Sequence, residues 1–169
     1  MANGIKPKAI CVFRFGGNIL VAEYFDPIKK EPFYRPLGGK IEFGEQSQKA
    51  VKREIKEEID AEVGNLRYLG VIENIYHHKG KQSHELMFIY DGEFLEDSYY
   101  MQSSIEGFEI TDDRKFKVHW KSLNDFADGT LTLYPEGLLE LIMEDKLKEQ
   151  QIIAPTEAKE KELSALVET

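Results

Sequence analysis

Gly38 to Ala61 reads GGKIEFGEQSQKAVKREIKEEIDA, and the rest of the chain is organised around it. A glycine pair opens the stretch, a short alternating piece follows (Lys40-Ile41-Glu42-Phe43), and Gly44 ends that piece. From about Glu45 to Asp60 there is no Gly or Pro, and the pattern is helical. At about 100° per residue the helix divides into three faces. Val51, Ile55 and Ile59 form an apolar stripe that should face a core. Glu54, Glu57 and Glu58 fall at i, i+3 and i+4 and crowd a second face. Lys49, Lys52 and Lys56 make the third, the solvent side.

Like charges at this spacing cost about 0.2–0.5 kcal/mol per pair, so a helix built for stability alone would alternate its signs. The arrangement makes sense with a hard divalent cation as partner, because Mg²⁺ takes carboxylate oxygens and retained water. Gly38 and Gly39 lie just before the helix, where backbone can approach an anionic ligand closely.

The stretch resembles the Nudix box, G-x5-E-x7-R-E-U-x-E-E-x-G-U, with U a bulky aliphatic residue. Gly39, Glu45, Arg53-Glu54, Ile55 and Glu57-Glu58 fall at the matching positions. The wording Gly-Gly-Lys-Ile-Glu-x-Gly-Glu is similar to the mutator-type branch. Two positions depart: Asp60 stands where the resemblance expects Gly, and Ala61 where it expects a bulky aliphatic. Both follow the acidic cluster, so they bear on the helix C-cap, where Asp60 must carry a left-handed turn.

The resemblance implies a Nudix fold, an α/β/α sandwich around a mixed sheet. It implies a Mg²⁺-dependent hydrolase, with Mn²⁺ as a substitute, that cleaves a nucleoside diphosphate derivative or a nucleoside triphosphate by attack of water on phosphorus. The implied metal ligands are Glu54, Glu57, Glu58 and the Gly38 carbonyl. Glu54 is the first candidate for general base. Glu85, after His84 at a strand start, is the second. Arg53 and Glu45 are expected to fix the loop-helix-loop geometry.

Composition sets the frame. At 169 residues and 41% hydrophobic content, the chain suits one soluble domain with a real core. The net charge of −9 argues against electrostatic capture of nucleic acid polymers or anionic membranes, but admits a small nucleotide-type substrate screened by metal ions. Cys11 is the single cysteine and lies in an apolar run, which reads as a buried thiol in a reducing compartment. No signal-like segment or long apolar run is present, and a cytoplasmic location is expected. A homodimer stays open beside the monomer.

Outside the box, Ala9 to Phe15 and Ile19 to Phe25 flank Gly16-Gly17-Asn18 and read as a β-hairpin. Asp26 to Pro32 reads as a loop. Leu66 to Tyr76 reads as a strand bent at Gly70, His77 to Ser83 as a polar loop, and Glu85 to Phe94 as a strand buried on both faces. Ser98 to Gly107 reads as irregular and a place for substrate contacts. Lys115 to Trp120 alternates like a half-buried strand, and Ser122 caps a short helix. A further helix starts at Pro135, with Leu138, Leu139, Leu141, Ile142 and Leu147 on its apolar side. The expected organisation is one domain over 1–154 and a charged tail or short helix over 155–169. Tyr24, Phe25, Phe33 and Tyr34 are candidates for base stacking or core packing. The loop around His77 and His78 could reach phosphates or be solvated. Two alternatives compete: a nucleotide-sensing module without turnover, and an isoprenyl diphosphate isomerase, which would need a reactive Cys that Cys11 is poorly placed to be.

Overall fold

A computed structural model describes residues 4–78 and 80–149. The strand pattern is long and mixed. β1 (Lys6–Phe15) turns through Gly16-Gly17 into β2 (Asn18–Asp26), followed by β3 (Glu31–Arg35) and β4 (Leu37–Lys40). After α1 (Ser47–Ile59) come β5 (Val63–His78) and β6 (Lys81–Phe94), which form a long antiparallel hairpin. The short α2 (Ser98–Met101), β7 (Ser104–Glu109), β8 (Arg114–Ser122) and α3 (Leu123–Ala127) complete the series, and a last helix, α4, covers residues 138–149.

The expected β1–β2 hairpin exists only at its tip, where Arg14 pairs with Ile19 and Phe15 with Asn18. Beyond that the strands part, because each has a better long-range neighbour. β1 lies parallel to β6 on one side and antiparallel to β4 on the other. β2 lies between β3 and β8. The path runs β5-β6-β1-β2-β8-β7, with β3 and β4 attached at the splayed strands.

That splay lets both strands bury both faces, and the side chains sort by parity. Ala9, Cys11, Phe13, Leu20 and Ala22 point to one core, where Val51, Ile55 and Ile59 of α1 close over them. Ile10, Val12, Ile19 and Val21 point to the other, against Phe126, Leu138 and Ile142 of α3 and α4. A mixed sheet between helical layers results, which is the α/β/α sandwich expected. Nearly unbroken apolar runs in β1 and β2 are what two-sided burial requires.

Several local expectations need correcting. Residues 31–35, expected as loop and approach to the glycines, form β3 on β2. Most of His77 to Ser83, expected as a polar loop, is strand: β5 runs to His78, β6 starts at Lys81, and His77 pairs with Gln82 across the hairpin. Ser98 to Gly107 is ordered as α2 and most of β7, because Ile105 and Gly107 find partners on β8. The last helix begins at 138 rather than Pro135, and Leu147 is 55% exposed instead of facing the core. Other expectations hold. β5 is irregular between Tyr68 and Gly70, and the Ser122 hydroxyl accepts from the Asn124 N–H. The tail at 155–169 lies outside the described residues.

Candidate active site

The site begins with the turn from β4 into α1. Gly38 has φ of 137°, and a Cβ there would run into the Ala9 backbone of β1, so only glycine lets β4 lie this close. Gly39 faces α1, and a Cβ there would overlap the Glu54 carboxyl group. The two glycines therefore press the strand backbone against the acidic face of the helix. Asp60 ends α1 in the left-handed conformation (φ 56°, ψ 29°), its N–H bonding the Lys56 carbonyl. The departure from glycine is tolerated, and Lys56 pairs with the Asp60 carboxylate at 2.6 Å.

Arg53 organises the acids. Its guanidinium bonds both Glu45 oxygens at 2.9 Å, the Lys40 carbonyl at 2.9 Å, Glu54 at 3.0 Å and Glu57 at 3.1 Å. The expected scaffold role of Arg53 and Glu45 thus has a geometry: one planar fork ties strand end, loop and helix together. The Arg53 hydrogen bonds, helped by the Glu42 N–H, pull the Glu45 carboxyl down to about 2.

Glu58 is different. It is only 8% exposed, and its hydrogen-bond donor is the Gly38 N–H at 3.1 Å. Burial pushes its carboxyl up to about 8, with Glu54 and Glu109 adding to the rise against the Gly38 N–H. Burial also raises Glu54, against the pull of Arg53, and Glu57 and Glu109 push the same way. Glu57 is the most exposed of the three.

These acids line a cleft of about 690 Å³ whose walls include Lys8, Tyr24, Arg35, Gly38, Gly39, Phe108, Glu109 and Thr111. Glu54, Glu57, Glu58, Arg53 and Gly38 are brought together there. Glu85 is not among the lining residues. It is 1% exposed and held by Lys8 at 2.8 Å, Tyr76 at 3.1 Å and Asn74 at 3.3 Å. Burial raises its carboxyl, but the Lys8 ion pair outweighs that and the net shift is downward. Lys8 stands at the cleft wall, so Glu85 reaches the site through it.

Glu109, at the end of β7, was not singled out from the sequence; nothing local marks it, since only the β7–β8 pairing carries it to the acidic helix face. Arg35 was missed for the same reason. Of the aromatic candidates, Tyr24 lines the cleft with Phe33 stacked on it at 5.4 Å. Tyr34 is buried in the second core, and Phe25 is 63% exposed. His77 and His78 lie exposed at the hairpin end, outside the cleft lining. Cys11 is fully buried, and burial pushes its thiol up, which suits an inert core residue.

Among the described residues, no three His, Cys, Asp or Glu side chains already converge at metal-ligand spacing. The donor chemistry still fits a hard divalent cation. The site offers carboxylate oxygens at Glu54, Glu57 and Glu58, two of them raised by burial with neighbouring acids adding to the rise, and Gly39 leaves the space that holds Glu54 against the turn. The Arg53 cation lies between Glu54 and Glu57 and partly offsets their repulsion.

A sheet between helical layers, with carboxylates gathered beside a glycine turn, defines the class: an α/β/α sandwich with an acidic cleft at one strand-to-helix junction. The chain belongs to the NUDIX domain family, whose model matches residues 6–142. It is 38% identical over 82 residues to a Bacillus subtilis protein named "Putative 8-oxo-dGTP diphosphatase YtkD". It is 38% identical over 66 residues to "NAD-capped RNA hydrolase NudC" of Vibrio atlanticus. These matches take in 42% and 39% of this chain, and span 49% of YtkD and 24% of NudC. The fold is shared with a MutT NUDIX hydrolase from Burkholderia pseudomallei, at TM-score 0.54 and 22% identity over 72% of this chain and 85% of that one. A NUDIX hydrolase from Nitrosomonas europaea gives TM-score 0.60 at 15% identity, over 86% of this chain and 90% of that one. Among the described residues no helix is long and apolar enough to cross a membrane.

Proposed function

We propose that the chain is a divalent-metal-dependent pyrophosphohydrolase acting on a nucleoside triphosphate or on a nucleoside diphosphate linked to another group. The observation that carries this is the Glu58 carboxylate. It is buried beside two further acids of the same helix face, accepts a hydrogen bond from the Gly38 backbone N–H, and has Arg53 engaged elsewhere. Such a cluster is costly without a cation. Bound there by Glu54, Glu57, Glu58 and the Gly38 carbonyl, Mg²⁺ or Mn²⁺ would neutralise the diphosphate and acidify water.

The chain's own residues supply the rest. Glu54 has Oε1 tied to Arg53, which leaves Oε2 to take a proton from water as its oxygen bonds to phosphorus. The phosphorus–oxygen bond to the leaving phosphate breaks in the same displacement, and that phosphate carries away the electron pair. Glu85, held by Lys8, is better suited to positioning Lys8 than to serving as base. The names of the two relatives support both substrate classes, triphosphates and dinucleotide-type diphosphates. A single domain over 1–154 belongs to the same proposal, and the family match over residues 6–142 supports it.

The test is a panel of nucleoside triphosphates and nucleoside diphosphate derivatives, incubated with Mg²⁺ or Mn²⁺ and resolved by product identity. Release of a mononucleotide with phosphate, pyrophosphate or a phosphorylated leaving group is expected. No product from any member of the panel would sink the reading, and tight nucleotide binding without release would favour a sensing module.

A further inference from the structure

The chain has five arginines, Arg14, Arg35, Arg53, Arg67 and Arg114. Four of them have carboxylate partners: Arg14 with Asp91, Arg53 with Glu45, Arg67 with Asp145 and Arg114 with Asp112. Among the described residues Arg35 alone has no ion pair, although it lines the cleft that holds Glu54, Glu57, Glu58 and Glu109. A cation that stands among carboxylates and reaches none of them is placed for a different anion.

Its position is held from two sides. Arg35 is the last residue of β3, opposite Ala22 on β2, and Pro36 confines it to extended backbone. The guanidinium lies 5.7 Å from the centre of the Tyr24 ring, and Phe33 stacks on that ring. The ring attracts the guanidinium without drawing on its N–H groups, which stay available to an anion. Pro36, Leu37 and Gly38 follow, so Arg35 is three residues from the backbone that bonds Glu58.

We propose that Arg35 is a phosphate-binding residue, its guanidinium gripping non-bridging oxygens of the substrate's diphosphate on the cleft wall that bears Tyr24. The proposal rests on the functional reading above and deepens it. A planar fork recognises a phosphoryl group bidentately, which an ammonium cannot do. Arg35 would therefore anchor the diphosphate near the carboxylates without handling the proton itself.

The experiment uses the full chain and methylenediphosphonate, a diphosphate mimic that cannot be hydrolysed, titrated by calorimetry with Mg²⁺ present. Arg35→Gln should weaken its binding about tenfold or more, and Arg35→Lys should recover only part of that loss. With a hydrolysed nucleotide from the panel, KM should rise by a similar factor while kcat stays within about threefold of wild type. Binding and KM within twofold of wild type in Arg35→Gln would overturn the proposal. So would a fall in kcat at unchanged KM, or failure of the wild type to bind the mimic. If Arg35→Gln does not fold, Arg35→Lys decides, since it keeps the charge and loses only the fork. The calorimetric arm needs no turnover, so a wild type that binds the mimic but hydrolyses nothing would refute the hydrolase reading and leave Arg35 to be judged on binding.

Discussion

Two charged clusters sit at different places on the same sheet and handle repulsion in opposite ways. Where β1, β5 and β6 meet α4, Arg14 and Arg67 interleave with Asp91, Asp145 and Glu149 at 2.7–3.7 Å. Each of the three acids there has an arginine within reach, and the cluster is complete. At the turn into α1, Arg53 reaches Glu45, Glu54 and Glu57, while Glu58 and Glu109 of the cleft lie beyond its hydrogen bonds. The first cluster fastens a helix to a sheet. The second is left short of positive charge in a cleft, as a site that takes a cation and an anionic ligand must be.

The contrast fails if the second cluster can lose a carboxylate without consequence. Glu57→Gln or Glu58→Gln should lower kcat by about 10²–10³ while circular dichroism stays that of wild type. Near wild-type turnover in either variant would break the comparison. Arg53→Met comes next in size. It strips Glu45, Glu54 and Glu57 of their shared partner, and chemical denaturation should show a midpoint at clearly lower denaturant.

A third prediction concerns pH. Glu58 has its carboxyl raised to about 8 in the folded chain, above its unfolded value. Its contribution to stability is therefore whole below the ordinary carboxyl range and is lost as pH rises through about 8. Without divalent cation, Glu58→Gln should match the melting temperature of wild type near the acid end of that window and exceed it by several degrees at its alkaline end. Equal melting curves at both pH values would remove the strain assigned to the cleft. The smallest effect is expected at the complete cluster. Asp145→Asn should cost about 1 kcal/mol in denaturation and leave kcat within about twofold.

The parts legible from the sequence are those whose physics is local. The three faces of α1 follow from helical periodicity, and Val51, Ile55 and Ile59 are buried as that periodicity requires. The Ser122 cap and the irregularity at Gly70 are local signals too. Glu54, Glu57 and Glu58 share a site because they share one helix turn. What was not legible depends on distant partners. β1 leaves β2 for β6, a strand far along the chain, and no pattern within either strand announces the exchange. β3 was hidden because a five-residue strand next to Pro36 looks like an approach to the glycines. Glu109 and Arg35 enter the cleft from β7 and β3, so their role depends on strand order. Glu85 reads as a candidate base from its place in the sequence, whereas Lys8 on the neighbouring strand already holds it.

Gly39 carries a last consequence. Its φ is not in the left-handed region, so what the position requires is emptiness rather than backbone freedom. The hollow of the absent methyl is occupied by the head of Glu54. A single added carbon, as in Gly39→Ala, would compete with that acid for one small volume and displace it while every ionisable group in the chain stayed in place. The glycine thus works as a gauge of distance between strand and helix, and the signature's first letter and its acidic core record one spatial fit.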